Sequence, residues 1–204
     1  MRAVDMDRCW DIIEAARADA AVDWKGLGEH DLDIALATAL IERLTRLSAD
    51  EIAGFDVRAS SLRGHLNRDD VYHAAFLMTH GCGDDGFSDF RAGVVGLGRH
   101  WYDLVLRDPD NLAEHPAVRG IVTGDVDQHV LRMETFQYAT TDAYGQVTGD
   151  EDGLHDHADR VAAAIGDDPS PQQPPPPRQL PRLAAMFPAA QRTYELFHPP
   201  QRSR

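Results

Sequence analysis

Apolar residues recur at three- and four-residue spacing along most of the chain, which is the period of one face of an α-helix. Over residues 7–20 the stripe is Trp10, Ile13, Ala16 and Ala20; over 30–47 it is Leu32, Ala35–Leu36, Ala39–Leu40, Leu44 and Leu47. Ser48, followed three residues later by Glu51, forms a capping box that opens a third helix with Ile52, Phe55 and Leu62 facing inward. Asp69–Asp70 starts a fourth, running through Val71, Ala74–Ala75 and Met78, with Gly81 expected at the left-handed position that ends it. Residues 84–107 predict the longest helix, striped by Phe87, Phe90, Val94, Leu97, Trp101 and Leu104–Val105. "RDPDNLAEHP" reads as a turn and a short helix, and 126–147 as another long helix carrying Val130–Leu131, Met133, Phe136, Tyr138, Ala143 and Tyr144. No run of strict alternation is long enough for a strand. The predicted fold class is all-α, a compact multi-helix domain of about seven helices.

The pattern changes after Gly149. "GDEDGLHDHAD" is acidic and polar, and "DDPSPQQPPPPRQLP" is rich in proline, which is extended and unable to enter a helix interior. Pro171 and Pro174 have the spacing of a PxxP ligand, but a spacer accounts for them as well. The expected organisation is a helical core domain over 1–150, an acidic then proline-rich linker over 151–178, and a C-terminal segment over 179–204. Leu180, Leu183, Met186 and Phe187 have helical spacing, and Phe197 continues it beyond Pro188. Each would cost ~1.5–3 kcal/mol to leave in water, so the segment is expected to pack back onto the core or onto another subunit of a homo-oligomer.

Composition narrows the partners. Among 204 residues, 34 acidic and 20 basic side chains leave a formal charge of −14, which repels polyanions, so neither nucleic acid nor an anionic membrane is an expected partner. Lys25 is the one lysine; abundant arginine and alanine suggest a GC-rich bacterial coding sequence. Cys9 and Cys82 are too few and too far apart for a disulfide framework, and the first residues lack an apolar signal-peptide run, so a cytoplasmic protein is expected.

Chemistry is densest in "THGCGDDGFSDFR", residues 79–91. Gly81, Gly83 and Gly86 match G-x-G-x-x-G, but no strand precedes them and two aspartates would face any phosphate. Asp84, Asp85 and Asp89 resemble the aspartate-rich motif of helical isoprenoid synthases, without the second motif those folds need. The spacing also fails for an EF-hand loop. Cys82 sits before a helix start, where a thiolate is favoured, yet Asp84 and Asp85 oppose its ionisation. A structural account serves equally: Asp84 as N-cap, Asp85 as a first-turn acid, Asp89 and Arg91 paired with neighbouring helices. Gly93, Gly96 and Gly98 each cost ~1 kcal/mol in a helix, a cost that close approach of a helix or ligand would explain.

Metal patterns are absent. There is no H-E-x-x-H, and the one E-x-x-H, Glu195 to His198, lies in the tail. The His–Asp pairs His30–Asp31 and His155–Asp156 lack the companions a phosphohydrolase needs, and His155, His157 and Asp159 read as solvated linker. No metal site and no cofactor is expected.

"CWDIIEAA", "LSADEIAGF", "AAFLMTHGCGDDGFSDFRAGVVGLGRHWYDLVLRDPDNLA", "ETFQYATTDAY" and "LPRLAAMF" occur in that order. Together they resemble the bacterial domain of unknown function family 4240, roughly from Asp7 to Phe187. The resemblance implies a helical fold and no particular reaction. Two function classes follow. The first is a non-catalytic helical module that binds a protein, peptide or small ligand, with His73, Cys82, Arg99 and Tyr102 as candidate contacts. The second is a small helical enzyme in which His80, Asp84, Asp85, Asp89 and Arg91 supply a base, acids and an anion anchor. Convergence of those five on one accessible pocket would favour the enzyme.

Overall fold

The computed structural model describes residues 4–21, 28, 30–150, 152–165 and 178–199. Among these, the chain forms eleven α-helices, one 3-10 helix and no strand. The helices are α1 Met6–Ala20, α2 Asp31–Leu44, α3 Ala49–His65, α4 Asp69–Thr79, α5 Asp84–Gly96 and α6 Arg99–Arg107. The 3-10 helix Pro109–Glu114 follows, then α7 Pro116–Thr123, α8 Glu134–Thr148, α9 Leu154–Ile165, α10 Pro181–Met186 and α11 Pro188–Phe197. No helix among the described residues is long and apolar enough to cross a membrane.

The stripes read from the sequence face one core. α2 and α8 lie against each other at its centre, α1 backs α2, and α3 packs on α8, α5 and α9. Ile13, Leu36, Leu40, Phe55 and Phe90 are shut off from solvent there. The capping box forms as the spacing predicts: the Glu51 amide donates to Ser48 Oγ at 3.3 Å and the Ser48 amide donates to Glu51 Oε2 at 3.0 Å.

Helix count and boundaries depart from the sequence reading where distant residues set them. The long helix expected over 84–107 is two, broken at Gly98, whose φ of 90° is open to glycine and strained for other residues. Glu14 of α1 makes the break, its Oε1 accepting from the Arg99 amide at 2.7 Å. The helix expected from Val126 begins instead at Glu134, because buried Asp33 of α2 accepts from the Thr135 and Phe136 amides at 2.9 and 2.7 Å. Buried Asp110 likewise accepts from the Leu183 amide at 2.9 Å and the Arg182 amide at 3.1 Å, at the start of α10. The residues that open these three helices, Gly98, Met133 and Leu180, contribute no capping side chain of their own. Each first turn therefore owes its satisfied amides to a carboxylate far away in sequence.

Residues 130–133 run irregularly along α5. Here Gly93 and Gly96 find their reason: a Cβ on Gly93 would lie 2.8 Å from the Leu131 carbonyl carbon, and one on Gly96 would lie 2.7 Å from Met133 Sδ. The close approach expected of a helix or ligand comes from this segment.

The stretch read as an acidic linker contains α9, whose Leu154, Ala158 and Val161 form a helical stripe against α3. His157 belongs to that packing. It bonds Asp50 through Nε2 at 2.8 Å and Tyr144 Oη through Nδ1 at 3.0 Å. The proline run over 169–177, with its PxxP unit, lies outside the described residues.

The C-terminal pair α10–α11 packs on α4 and on the 3-10 helix. Leu180, Leu183, Phe187 and Ala190 are buried, while Phe197 is 72% exposed, contrary to its expected inward face. Polar anchors accompany the burial. Asp70, held by Arg68 at 2.6 Å in an ion pair shielded on both sides, accepts from the Arg178 amide at 3.3 Å. Arg182 reaches Asp110 at 3.1 Å and Glu114 at 2.6 Å. Farther along, Tyr194 stacks between His73 and His198 at 3.8 and 4.3 Å, and His73 Nε2 lies 2.9 Å from Gln191 Oε1.

Candidate functional site

The corner between α4 and α5 is built by the backbone. His80, with φ of 54°, takes the left-handed position expected of Gly81, and the Gly81 amide donates to the Phe76 carbonyl at 3.1 Å to close the helix end. A left-handed histidine is uncommon; the imidazole here lies beside Gln128 and Phe187. Gly83, not Asp84, is the N-cap of α5, so Asp84 and Asp85 are first-turn acids open to solvent.

The five proposed catalytic residues disperse from there. His80 Nδ1 lies 2.9 Å from Gln128 Oε1. Asp89 turns inward toward Arg132, 3.8 Å away, and burial with Glu134 nearby lifts its carboxyl above the usual range despite that arginine. The same guanidinium packs closely on Gly86, where an added Cβ would lie 3.2 Å from it. Arg91 donates to the Arg63 carbonyl at 3.3 Å and lies over the Phe87 ring at 5.0 Å. Cys82 is half-buried, and burial pushes its thiol up to about 11; the buried Cys9 goes up to about 12 for the same reason. Neither is a thiolate at neutral pH. No group of three or more His, Cys, Asp or Glu side chains among the described residues is arranged to hold a metal ion.

The proposed ligand contacts likewise each have partners within the fold. Tyr102 donates to the Leu62 carbonyl at 3.2 Å and packs on Trp10. Arg99 pairs with Asp7 at 2.9 Å on the surface. His73 lies beneath α11 in the stack with Tyr194. The Cys82 carbonyl accepts from Tyr72 Oη at 2.7 Å.

The structure offers a different concavity, a groove of about 610 Å³. Its walls come from His80, from the end of α7 with the loop that follows (Ile121 to Gln128), and from the α10–α11 junction (Met186 to Ala189). Phe187 and Val126 are buried in its floor, and Val122 stands 48% exposed at its edge. Asp125 and Asp127 flank it. Asp125 accepts from Thr123 Oγ1 at 2.7 Å and Asp127 from the His129 amide at 2.7 Å, which holds both carboxylates in place. The His80 imidazole lies edge-on to Phe187 at 6.1 Å, the only one of the proposed catalytic residues in this wall.

Sequence reasoning missed the rest of the groove. "TGDVDQ" carries a turn glycine followed by alternate acids, a signal absorbed into the helix expected over 126–147. Nothing local ties it to Met186 and Phe187, some 60 residues on.

The model of a family described as protein of unknown function (DUF4240) matches residues 4–146, so α9 to α11 lie beyond the match. No curated protein and no solved structure matches the chain. The match takes in α1 to α7 and most of α8, well over half of the sequence, and the chain belongs to the DUF4240 family.

Proposed function

We propose that the protein is a helical binding module and that its site is the groove between His80, the loop after α7 and the α10–α11 junction. The carrying observation is the groove's make-up: an apolar floor with a few fixed polar groups, in a size suited to a small ligand or one or two peptide side chains. Asp125 and Asp127 on its rim, in a chain of formal charge −14, select a ligand that joins an apolar group to a cation. His80 and Gln128 add one hydrogen-bonding pair for orientation. Acid–base chemistry at the corner finds no such support, since its acids face solvent or Arg132 and none of them lines this groove beside His80.

Titration of isotope-labelled protein with phenethylamine, an aromatic ring on a short cationic arm, tests this reading. The amide signals of Gly124, Val126, Gln128 and Met186 are expected to move together and to saturate. Phenylacetate, with the charge reversed, is expected to leave them unmoved. Equal response to both compounds, or response elsewhere, overturns the assignment.

A further inference from the structure

Where α3, α5 and α8 pack on one another, two arginines come together without an acid. Arg63 of α3 donates to the Gln137 carbonyl of α8 at 3.4 Å and to Ser60 Oγ at 2.9 Å. Arg91 of α5 donates to the Arg63 carbonyl at 3.3 Å and is held over the Phe87 ring. Ser88 Oγ, one turn before Arg91, donates to Gln137 Oε1 at 2.9 Å. Every acceptor in this cluster is uncharged. Among the described residues neither arginine forms an ion pair, whereas Arg68, Arg99, Arg132 and Arg182 each do. Asp56, whose charge acts on Arg63 from about two turns earlier on α3, accepts instead from Thr140 Oγ1 at 2.9 Å. We propose that Arg63 and Arg91, with Ser60 and Gln137 beside them, form a binding site for a phosphate group, free or carried as a monoester. None of these residues lines the groove, so this is a second site, of opposite charge.

What the cluster has left to offer is of one kind. Ser60 Oγ accepts from Arg63, which leaves its own proton to give. Gln137 has its side-chain oxygen engaged by Ser88, which leaves its amide N–H groups. A guanidinium has N–H donors and no acceptor; Arg91 spends one nitrogen on Arg63, and its buried Nε has no partner. A site of donors alone selects an oxyanion. Donors arriving from three helices surround a tetrahedral group, whereas a carboxylate offers two oxygens in one plane. Charge agrees, since two cations face a phosphate of roughly −1.5 to −2. Burial and the neighbouring Arg63 charge lower the Arg91 pKa from its usual value, and a dianion between the two relieves both effects. The formal charge of −14 is screened beyond ~8 Å at physiological salt, so the pair sets the local field.

Titration of the isotope-labelled full chain with inorganic phosphate and with phenyl phosphate, at constant ionic strength, tests the proposal, with acetate as control. The amide signals of Arg63, Gly64, Ser88 and Gln137 are expected to move and saturate with phosphate and not with acetate. Tighter binding of phenyl phosphate assigns the site to an ester, and equal or weaker binding assigns it to the free ion. Arg91→Gln is expected to weaken binding about tenfold or more, by loss of one charged partner. Ser60→Asp, at an exposed position, sets a carboxylate beside Arg63 and is expected to abolish phosphate binding while the fold is kept. Phosphate should also raise the melting temperature of the wild type and leave that of Ser60→Asp unchanged. A pair that serves packing alone would show no dependence on phosphate. Signals that do not saturate, an equal response to acetate, or undiminished binding in Ser60→Asp overturns the proposal.

Discussion

His115 ties the stability of the fold to pH in a way that can be worked out in advance. It is 1% exposed, accepts from the Ala117 amide at 3.1 Å as the N-cap of α7, and meets the Trp101 ring edge-on at 4.5 Å. Burial, with the Arg17 guanidinium nearby, lowers its pKa from 6.5 to about 3, and a protonated Nδ1 would have no lone pair left for the amide. The folded protein therefore holds the neutral ring. Above pH 6.5 folded and unfolded chains are both neutral at this site, and nothing is lost. As pH falls through 6.5 the unfolded chain takes up a proton that the folded one refuses, so stability declines until about pH 3, where the folded ring titrates too. With 1.36 kcal/mol per pH unit, the loss between pH 8 and pH 5 comes to about 2 kcal/mol. His115→Asn keeps an acceptor for the Ala117 amide and removes the titration. Urea unfolding of both proteins at pH 8 and pH 5 isolates the effect, because all other titrating groups cancel in the difference. The wild type should lose about 2 kcal/mol more than the variant. Equal losses in the two proteins would refute the reasoning.

Asp33→Ala strips the first turn of α8 of its acceptor and leaves two amides without one; an unfolding free energy lower by ~2–4 kcal/mol is expected, and a change below ~1 kcal/mol would show that α8 does not depend on this carboxylate. Gly93→Ala drives a methyl into the Leu131 backbone and should lower the melting temperature. Gly64→Ala, in α3 with open space around it, should instead raise stability by ~0.5–1 kcal/mol, and the same sign for both would contradict the packing described. Cys82, with its thiol raised from 9.0 to about 11, should react with iodoacetamide at neutral pH ~10-fold more slowly than an ordinary cysteine; a rate equal to that of a free thiol would contradict its environment.

The parts of this fold that were legible in the sequence are those whose causes are local. Ser48 and Glu51, only three residues apart, cap α3, and the stripes Trp10–Ile13–Ala16 and Leu36–Leu40–Leu44 need no knowledge of what covers them. Boundaries set at a distance were illegible. Gly98 breaks a helix where Glu14 supplies the cap, and α8 starts where Asp33 supplies one, carboxylates 85 and about 100 residues away. α9 was hidden by its acidity, although Leu154, Ala158 and Val161 already had helical spacing. At the corner, closeness in sequence did not become closeness in space. Six chemically able residues, His80, Cys82, Asp84, Asp85, Asp89 and Arg91, lie within thirteen positions, but a helix end and a helix start send neighbours in sequence to different places. His80 goes to the groove, Asp89 to Arg132 and Arg91 to Arg63.

The central claim is that ligand recognition belongs to the groove and not to the corner. Its most direct test is the dissociation constant for phenethylamine measured by calorimetry on the wild type, on Val122→Lys, and on the double variant Asp84→Asn/Asp85→Asn. The account predicts that Val122→Lys abolishes binding, by placing a cation and extra bulk at the groove edge, while the double variant binds as the wild type does. Loss of binding in the double variant, with Val122→Lys unaffected, would return the site to the corner and contradict the account.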